Sequence, residues 1–180
     1  MSRTIYYTAS SLDGFIATPD HSLDWLLSQP LSDEISAEMA DLTTRFGAMI
    51  MGSSTYRWIL DNENLLDNPG AWPYTAPSWV MSHRDLPAVE GADIRFAQGD
   101  VATVHAEAVA AADGLDVWVI GGGDLAGQLA DAGLLDQIEV SYAPVTLGAG
   151  APLLPRRLDL VQGDVRHDGT FLSATYTVAR

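Results

Sequence analysis

The chain has 180 residues, 47% of them hydrophobic, and a formal net charge of −15 at pH 7. A chain of this length is expected to form one domain over residues 1–180 and to bury roughly 70% of the surface that its unfolded form exposes. All nine positively charged residues are arginines, and there is no cysteine. This composition excludes disulfides, cysteine-based zinc sites and Schiff-base chemistry on a lysine.

Charge and hydropathy also narrow the range of partners. The acidic chain has no basic stripe with interleaved aromatic residues, so we do not expect it to bind nucleic acid. No apolar run approaches the roughly 18 residues that a membrane span needs. The stretch MSRTIYYTAS lacks the pattern of a signal peptide, because Thr8 and Ser10 interrupt its hydrophobic part. We therefore expect a cytoplasmic protein with no membrane partner.

The periodicity of apolar residues predicts strands that alternate with helices. The predicted strands are RTIYYTAS, AMIM, SWVMS, DIRFA, VWVI and QIEVSYAPV, followed by two strands around a hairpin signal at Asp168 and Gly169. The predicted helices are LSDEISAEMADLTTRF, YRWIL, DVATVHAEAVAAA with Asp100 as its N-cap, and DLAGQLADAG. This order predicts a three-layer αβα fold whose central sheet is mostly parallel and ends in an antiparallel hairpin.

Two strand-to-helix turns carry the strongest local signals. Gly121, Gly123 and Ala126 fit the pattern G-x-G-x-x-A that can hold a phosphate at a helix N-terminus. The motif lies late in the chain, unlike that of a Rossmann domain, so a turn without a ligand is the alternative. The second turn, in MIMGSSTY, opens a helix with the hydroxyl residues 53–55, for which simple N-capping is the alternative. Both turns would follow the carboxyl ends of strands, where together they would hold two sides of one dinucleotide.

Five segments together resemble a known family: SLDGFIA, MIMGSSTY, the VMS before His83, VWVIGGGDL and LLDQIEVSYAPVTLGAGAPLLP. The chain is similar to the dihydrofolate reductase superfamily, and more closely to the reductase domain of bifunctional riboflavin-biosynthesis proteins. The resemblance covers nearly the whole chain. It implies a dihydrofolate reductase-like fold that binds NADPH across its strand ends and delivers hydride to a pteridine or pyrimidine-derived substrate. It also implies a homodimer.

The resemblance implies where the cofactor binds. The nicotinamide would lie near Ala9 and Ile16, and the pyrophosphate between the two helix N-termini. The peptide bond between Gly121 and Gly122 would be cis, as it is in the family. NADPH is preferred over NADH, with the 2′-phosphate beside Ser82, His83 and Arg84, and a solvated loop charge is the alternative for Arg84. The complete set of cofactor-binding candidates is Ala9, Ile16, Gly52, Ser53, Ser54, Thr55, Ser82, His83, Arg84, Gly121, Gly122, Gly123, Asp124 and Leu125.

The catalytic and substrate-binding residues are harder to predict. The resemblance implies that a carboxylate at the start of the first long helix, Asp33 or Glu34, supplies the proton. A helix cap or a surface charge is the alternative for Asp33. The substrate-binding candidates are Asp13, Trp25 and Ser141. Trp25 matches a family position at the mouth of the substrate site, and a packed tryptophan is the alternative.

One motif resembles part of a zinc site but is not expected to bind a metal. His105 and Glu107 match the H-x-E of zinc nucleobase deaminases, but a chain without cysteine lacks the remaining ligands, so we expect structural roles and no metal.

The leading hypothesis is an NADPH-dependent reductase of a small heterocycle, most similar to 5-amino-6-(5-phosphoribosylamino)uracil reductases of riboflavin biosynthesis. Dihydrofolate reduction is the first alternative. A nucleotide-binding protein of the same fold that has lost catalysis is the second. Ala126 stands where dihydrofolate reductases carry an aromatic residue, which favours the riboflavin-type branch.

Overall fold

The structure is a computed structural model that describes residues 2–179, apart from the side chains of Glu34, Ile35, Glu38, Ala40 and Thr43. The strands are β1 (Thr4–Ser11), β2 (Phe15–Ala17), β3 (Phe46–Gly52), β4 (Ser78–Met81), β5 (Ile94–Ala97), β6 (Asp116–Gly121), β7 (Gln137–Ala143), β8 (Ala151–Pro152), β9 (Leu160–Asp168) and β10 (Phe171–Val178). The helices are α1 (Asp24–Leu27), α2 (Asp33–Arg45), α3 (Ser53–Asn62), α4 (Val101–Ala111), α5 (Gly123–Asp131) and a 3₁₀ turn (Pro69–Ala71). No helix of the described chain is long and apolar enough to cross a membrane.

Eight strands form the central sheet in the order β5-β4-β3-β6-β1-β7-β10-β9. The pairs from β5 to β7 are all parallel, and β10 runs antiparallel to both β7 and β9. The predicted mostly parallel sheet that ends in an antiparallel hairpin is therefore confirmed. In a parallel sheet of this kind, ligands bind outside the carboxyl ends of the strands.

Helices cover both faces of the sheet, because alternate residues of each buried strand point to opposite sides. In β3, Ile50 packs with residues of α4 and α5, whereas its neighbour Met51 packs with residues of α3. Met49 joins Leu42 of α2 and Trp118 of β6 on the α3 side. The central strands thus have two buried faces, which explains their nearly continuous apolar runs in the sequence.

Four short elements were not predicted. The segment Phe15–Ala17 is not an extension of the first strand but pairs antiparallel with Ala151–Pro152, far away in the sequence. The four-residue helix Asp24–Leu27 and the 3₁₀ turn Pro69–Ala71 are too short to show a periodic pattern. Contacts distant in sequence stabilise such elements, so local patterns do not reveal them.

One backbone prediction was wrong. The Gly121–Gly122 peptide bond is trans. The chain instead turns from β6 into α5 through a left-handed conformation at Gly122, whose φ is 96°. Because glycine has no Cβ, it adopts this conformation at little steric cost, and the turn forms without a cis bond.

Candidate active site

The two predicted phosphate-binding turns lie side by side, because β3 and β6 are neighbours in the sheet. A Cβ added to Gly121 would lie 2.5 Å from Oγ1 of Thr55, so the turns are in van der Waals contact across this glycine. A Cβ on Gly123 would lie 2.1 Å from the carbonyl oxygen of Pro152. The glycine run therefore lets the start of α5 approach both α3 and β8.

Both helix N-termini at these turns lack a side-chain cap. Gly52 precedes α3 and Gly122 precedes α5, and neither offers a side chain to the amides of the first turn. The N-terminus of α4 is different, because Asp100 accepts a hydrogen bond from the amide of Ala102. The first-turn amides of α3 and α5 are available to an anionic ligand, which the partial positive charge of each helix N-terminus also favours.

A cavity of about 340 Å³ opens directly against the two turns. It is lined by residues 52–55 from the first turn and by Gly122, Asp124 and Leu125 from the second. Ser82 and His83, which follow β4, also line it, together with Gln98 and Gly99. The structure therefore brings nine of the fourteen predicted cofactor-binding residues to one cavity. Uncapped amides and hydroxyls around glycine backbone fit a dinucleotide pyrophosphate.

Asp124 places a negative charge in the first turn of α5. Its carboxylate accepts hydrogen bonds from Nε2 of Gln128 and from the guanidinium of Arg156, and these bonds lower its pKa. The ion pair with Arg156, at 3.0 Å, offsets this charge beside the cavity. Asp124 is largely exposed, so solvent also screens its repulsion of a phosphate.

A second, larger cleft of about 930 Å³ lies against the outer side of α3 and contains Arg57 and Arg84. Neither of these two exposed arginines forms an ion pair with a described residue. The other arginines between residues 2 and 179 all do, in the pairs Arg3–Asp116, Arg45–Glu139, Arg95–Asp93, Arg156–Asp124, Arg157–Asp159 and Arg166–Asp168. Asp20 and Asp61 line the same cleft, but no described carboxylate pairs with Arg57 or Arg84, so these two guanidinium groups can bind an anionic ligand.

Arg84 is among the residues predicted from the sequence, whereas Arg57 is not. Arg57 lies on α3, four residues after Ser53, so helical spacing places both on the same face of the helix. Applied to the predicted helix, that spacing would have identified Arg57 as a second cation next to the predicted turn.

His21 lines the same cleft and the neighbouring cavity. Its φ of 65° is left-handed, which is uncommon for a residue with a side chain. The turn is stabilised by hydrogen bonds from the amides of His21 and Ser22 to the carbonyl and hydroxyl oxygens of Thr18. Left-handed residues of this kind concentrate at binding sites, so His21 is a further candidate that the sequence analysis missed.

Beyond the two turns lies a cavity of about 330 Å³ lined by Ile16, Thr55 and the glycine run. The resemblance implies that the nicotinamide lies near Ile16, and that position stays a prediction. A third cavity, of about 300 Å³, is next to the cavity at Ile16, and Thr8, Tyr74 and Ile120 line both. Ala9 lines this third cavity only. Each of these four cavities shares lining residues with the next, so together they form one continuous cleft along the carboxyl ends of β4, β3, β6, β1 and β7.

The third cavity, which we call the apolar cavity, is closed by α1 and α2. Its lining is formed by Tyr7, Thr8, Ala9, Leu26, Leu27, Gln29, Leu31, Met39, Leu42, Tyr74, Trp118, Ile120, Ser141 and Phe171. Burial, and secondarily the charge of Glu63, raise the pKa of Tyr74 to about 12, so this phenol stays protonated and neutral. Ser141, a predicted substrate-binding residue, lines the cavity, and its hydroxyl lies 3.0 Å from that of Ser173.

Trp25 and Asp13 have structural contacts instead. Trp25 is buried with Ala143 and Phe171 and does not line the apolar cavity, although its neighbour Leu26 does. The carboxylate of Asp13 accepts hydrogen bonds from the hydroxyl of Ser11 and from the amides of residues 147 and 148, at 2.6, 3.0 and 2.7 Å. These bonds, with that of Ser11 the strongest, lower the pKa of Asp13 to about 2. Asp13 thus stabilises the loop that follows β7.

Asp33 is exposed at the first position of α2 and does not line any of these cavities. Glu34, the alternative to Asp33, has its side chain outside the described residues. The catalytic role of Asp33 or Glu34 therefore stays a prediction.

His105 and Glu107 have the structural contacts expected of them. Oγ1 of Thr4 lies 2.6 Å from Nε2 of His105, and Glu107 accepts a hydrogen bond from Nε1 of Trp79.

Sequence comparison gives a consistent result. The family described as RibD C-terminal domain matches residues 55–170. The uncharacterized protein YwjB of Bacillus subtilis is 26% identical over 155 residues, which cover 84% of this chain and 82% of that protein. The riboflavin biosynthesis protein RibD of Corynebacterium ammoniagenes is 27% identical over 164 residues, 83% of this chain but only 45% of that protein.

Solved structures agree with the sequence comparison. A putative riboflavin biosynthesis protein from Shewanella sp. PV-4 superimposes with a TM-score of 0.80 over 99% of both chains, at 26% identity. A pyrimidine reductase-like protein from Corynebacterium diphtheriae has a TM-score of 0.66 over 99% of this chain and 92% of that chain, and its identity of 15% supports the fold alone. The fold, the paired glycine-lined turns and the matched residues agree, and the chain belongs to the RibD C-terminal domain family.

Proposed function

We propose that this protein is an NADPH-dependent reductase of a small heterocyclic substrate. The observation that carries the proposal is the contact between two uncapped helix N-termini beside a cleft that contains Arg57 and Arg84. The amides at the turns would bind the pyrophosphate. Arg57, Arg84 and His83 would bind the 2′-phosphate, which distinguishes NADPH from NADH.

The order of the cavities supports a direction for the cofactor. With the pyrophosphate at the turns, the nicotinamide would reach the cavity beside Ile16, and the substrate would occupy the apolar cavity. A nicotinamide bound beside Ile16 would supply a hydride, and reduction of a C=N bond would consume one proton as well. Thr8 and Tyr74 line both cavities, so their hydroxyls are positioned to hydrogen-bond a substrate at the point of transfer.

Dihydrofolate reduction is less well supported. That reaction relies on a carboxylate beside the pterin, and no described carboxylate lines the apolar cavity. Asp33, one of the two candidates for that role, is exposed outside it, and the side chain of Glu34, the other candidate, lies outside the described residues.

The test is a titration of the purified protein with NADPH and with NADH, monitored by energy transfer from tryptophan to the nicotinamide. The structure predicts that NADPH binds more tightly and that salt weakens its binding. Substituting both Arg57→Ala and Arg84→Ala should weaken NADPH binding on the order of tenfold and leave NADH binding nearly unchanged.

Arg157→Ala is the matched control for charge, because Arg157 is exposed, outside the cleft and paired only with exposed Asp159. It should change neither affinity. If neither cofactor binds to the unmodified protein, the reductase proposal is wrong.

A further inference from the structure

The residues that line the apolar cavity limit the class of substrate that it can bind, and so extend the proposed function. Eight of its fourteen lining residues are Ala, Leu, Met, Ile or Phe, and the rest are Thr, Ser, Gln, Tyr and Trp. None of these fourteen described residues is charged. A cavity of about 300 Å³ has room for one flat ring and a short substituent.

One wall of the cavity is aromatic. The ring of Trp118 packs edge-to-face against Tyr7 at 5.8 Å and against Tyr74 at 5.7 Å, and all three line the cavity. Rings fixed in this way present apolar surfaces against which a flat heterocycle can stack. The hydroxyl and amide groups of Thr8 and Gln29 add uncharged hydrogen-bonding groups.

The mouth of the cavity is apolar as well. Leu27, Leu31 and Met39 are 59%, 55% and 52% exposed, and all three belong to the lining. Large apolar side chains held in solvent at the opening of a cavity indicate a surface that a ligand covers. A ligand substituent that leaves the ring position would contact these three side chains.

Cations near the cavity are already neutralised. Behind Tyr7 and Ser141 lies a small space of about 30 Å³ lined by Glu139, Asp164 and Arg166. Arg166 is paired with Asp168, and Arg45, which lies nearby, is paired with Glu139. A phosphate at the apolar cavity would therefore lose its hydration without gaining a cation, in a chain that repels anions overall.

We propose, on the basis of the proposed reductase function, that the substrate of this chain is an uncharged flat heterocycle with an apolar substituent and no phosphate group. The observation that carries this is the uncharged lining of the apolar cavity and its exposed leucine and methionine mouth. The substrate class thus differs from the phosphoribosyl compound that gives related reductases their name.

The test uses three compounds that share a 5,6-diaminouracil ring. They differ in the substituent on the 6-amino nitrogen, which is butyl, ribosyl or ribosyl 5′-phosphate. Binding of each to the protein with and without NADP⁺ is measured by calorimetry. We expect the butyl compound to bind at least about tenfold more tightly than the phosphate. Equal or tighter binding of the phosphate, or no measurable binding of the butyl compound, would overturn the inference.

A variant pair sharpens the test. Leu27→Arg adds a cation at the mouth of the cavity and should tighten binding of the phosphate compound at least about fivefold at low salt. Leu66→Arg is the matched control, because Leu66 is 61% exposed and lines none of the cavities described here. If Leu27→Arg instead separates a dimer into monomers and leaves ligand binding unchanged, the apolar mouth is a subunit interface and the inference is wrong.

The two proposals fail in different ways. Binding of the butyl compound without binding of NADPH contradicts the reductase function alone. Binding of NADPH with a preference for the phosphate compound contradicts the substrate class alone.

Discussion

The two ends of the cleft are built differently. At the proposed cofactor end, the candidate binding groups are backbone amides, glycines and two arginines that form no ion pair with a described residue, and most of them come from two short turns. At the substrate end, fourteen residues from β1, α1, α2, β6, β7, β10 and the loops bring uncharged side chains together. The cofactor end is built from local sequence motifs in which few substitutions fit. The second end depends on which side chains the fold places next to each other.

The largest effect is expected from Gly123→Ala. Its Cβ would lie 2.1 Å from the carbonyl oxygen of Pro152, and a backbone atom cannot move aside as a flexible side chain can. We expect a loss of about 2 to 3 kcal/mol in the free energy of unfolding, measured in urea, together with a large loss of NADPH affinity. Gly70→Ala is the control, because nothing lies within 4 Å of its added Cβ. An unaffected Gly123→Ala protein would contradict the close packing of the turn.

Gly52→Asp separates stability from binding at the cofactor end. Gly52 has an extended backbone, and its added Cβ would meet only one atom, at 4.0 Å, so the side chain fits and would cap α3. The unfolding free energy should rise by a few tenths of a kcal/mol. NADPH affinity should fall on the order of tenfold, because the carboxylate competes for the same amides and repels the pyrophosphate.

Gly52→Asn provides the control for charge, since it caps without a negative charge and should weaken NADPH binding less. Neither substitution should change binding of an uncharged ring at the apolar cavity. If either substitution changes that binding, the two ends of the cleft are coupled, although different residues form them.

Asp100→Ala tests a helix N-terminus that carries its own cap. Removing the bond from the amide of Ala102 should lower the unfolding free energy by about 1 kcal/mol. NADPH binding should stay the same, because the capped N-terminus of α4 contributes no amide to the cavities. A clear loss of NADPH affinity would show that α4 belongs to the cofactor end.

The smallest effect concerns Asp13, which stabilises the loop after β7. The pKa of its carboxyl is lowered to about 2 in the folded protein, from an ordinary value of 3.8. The carboxylate therefore contributes stability above about pH 4, and this contribution disappears as the pH falls from about 4 to 2. Melting curves of the unmodified protein and of Asp13→Asn should converge over that interval. Parallel curves would show that these hydrogen bonds do not stabilise the fold.

The element order was predictable from the sequence because strong apolar periodicity distinguishes strands from helices along most of the chain. The turns at Gly52 and Gly121 were predictable because glycine followed by hydroxyl or glycine residues marks a strand-to-helix junction. The cis bond predicted from the resemblance was wrong, since positive φ at Gly122 makes the same reversal with a trans bond.

The substrate end could not be predicted in the same way. Asp13 was assigned to the substrate, but its carboxylate bonds to the amides of Leu147 and Gly148, more than a hundred residues away in the sequence. The role of Trp25 was equally ambiguous, because only the packing of α1 against β7 and β10 decides which side chain lines the cavity. No spacing rule relates residues that meet only through the folded sheet.

The sequence by itself determined which chemical groups the chain offers to a ligand. It is an acidic chain with nine arginines, no lysine and no cysteine, and it has two glycine turns after buried strands. The tertiary structure alone decided that β3 lies beside β6, so that Gly121 contacts Thr55 and the two helix N-termini meet. Among the described residues, it also decided which two arginines lack carboxylate partners and which uncharged side chains line the apolar cavity. Local propensity acts within a few residues, whereas a site is a set of contacts between segments that only the packed sheet brings within reach.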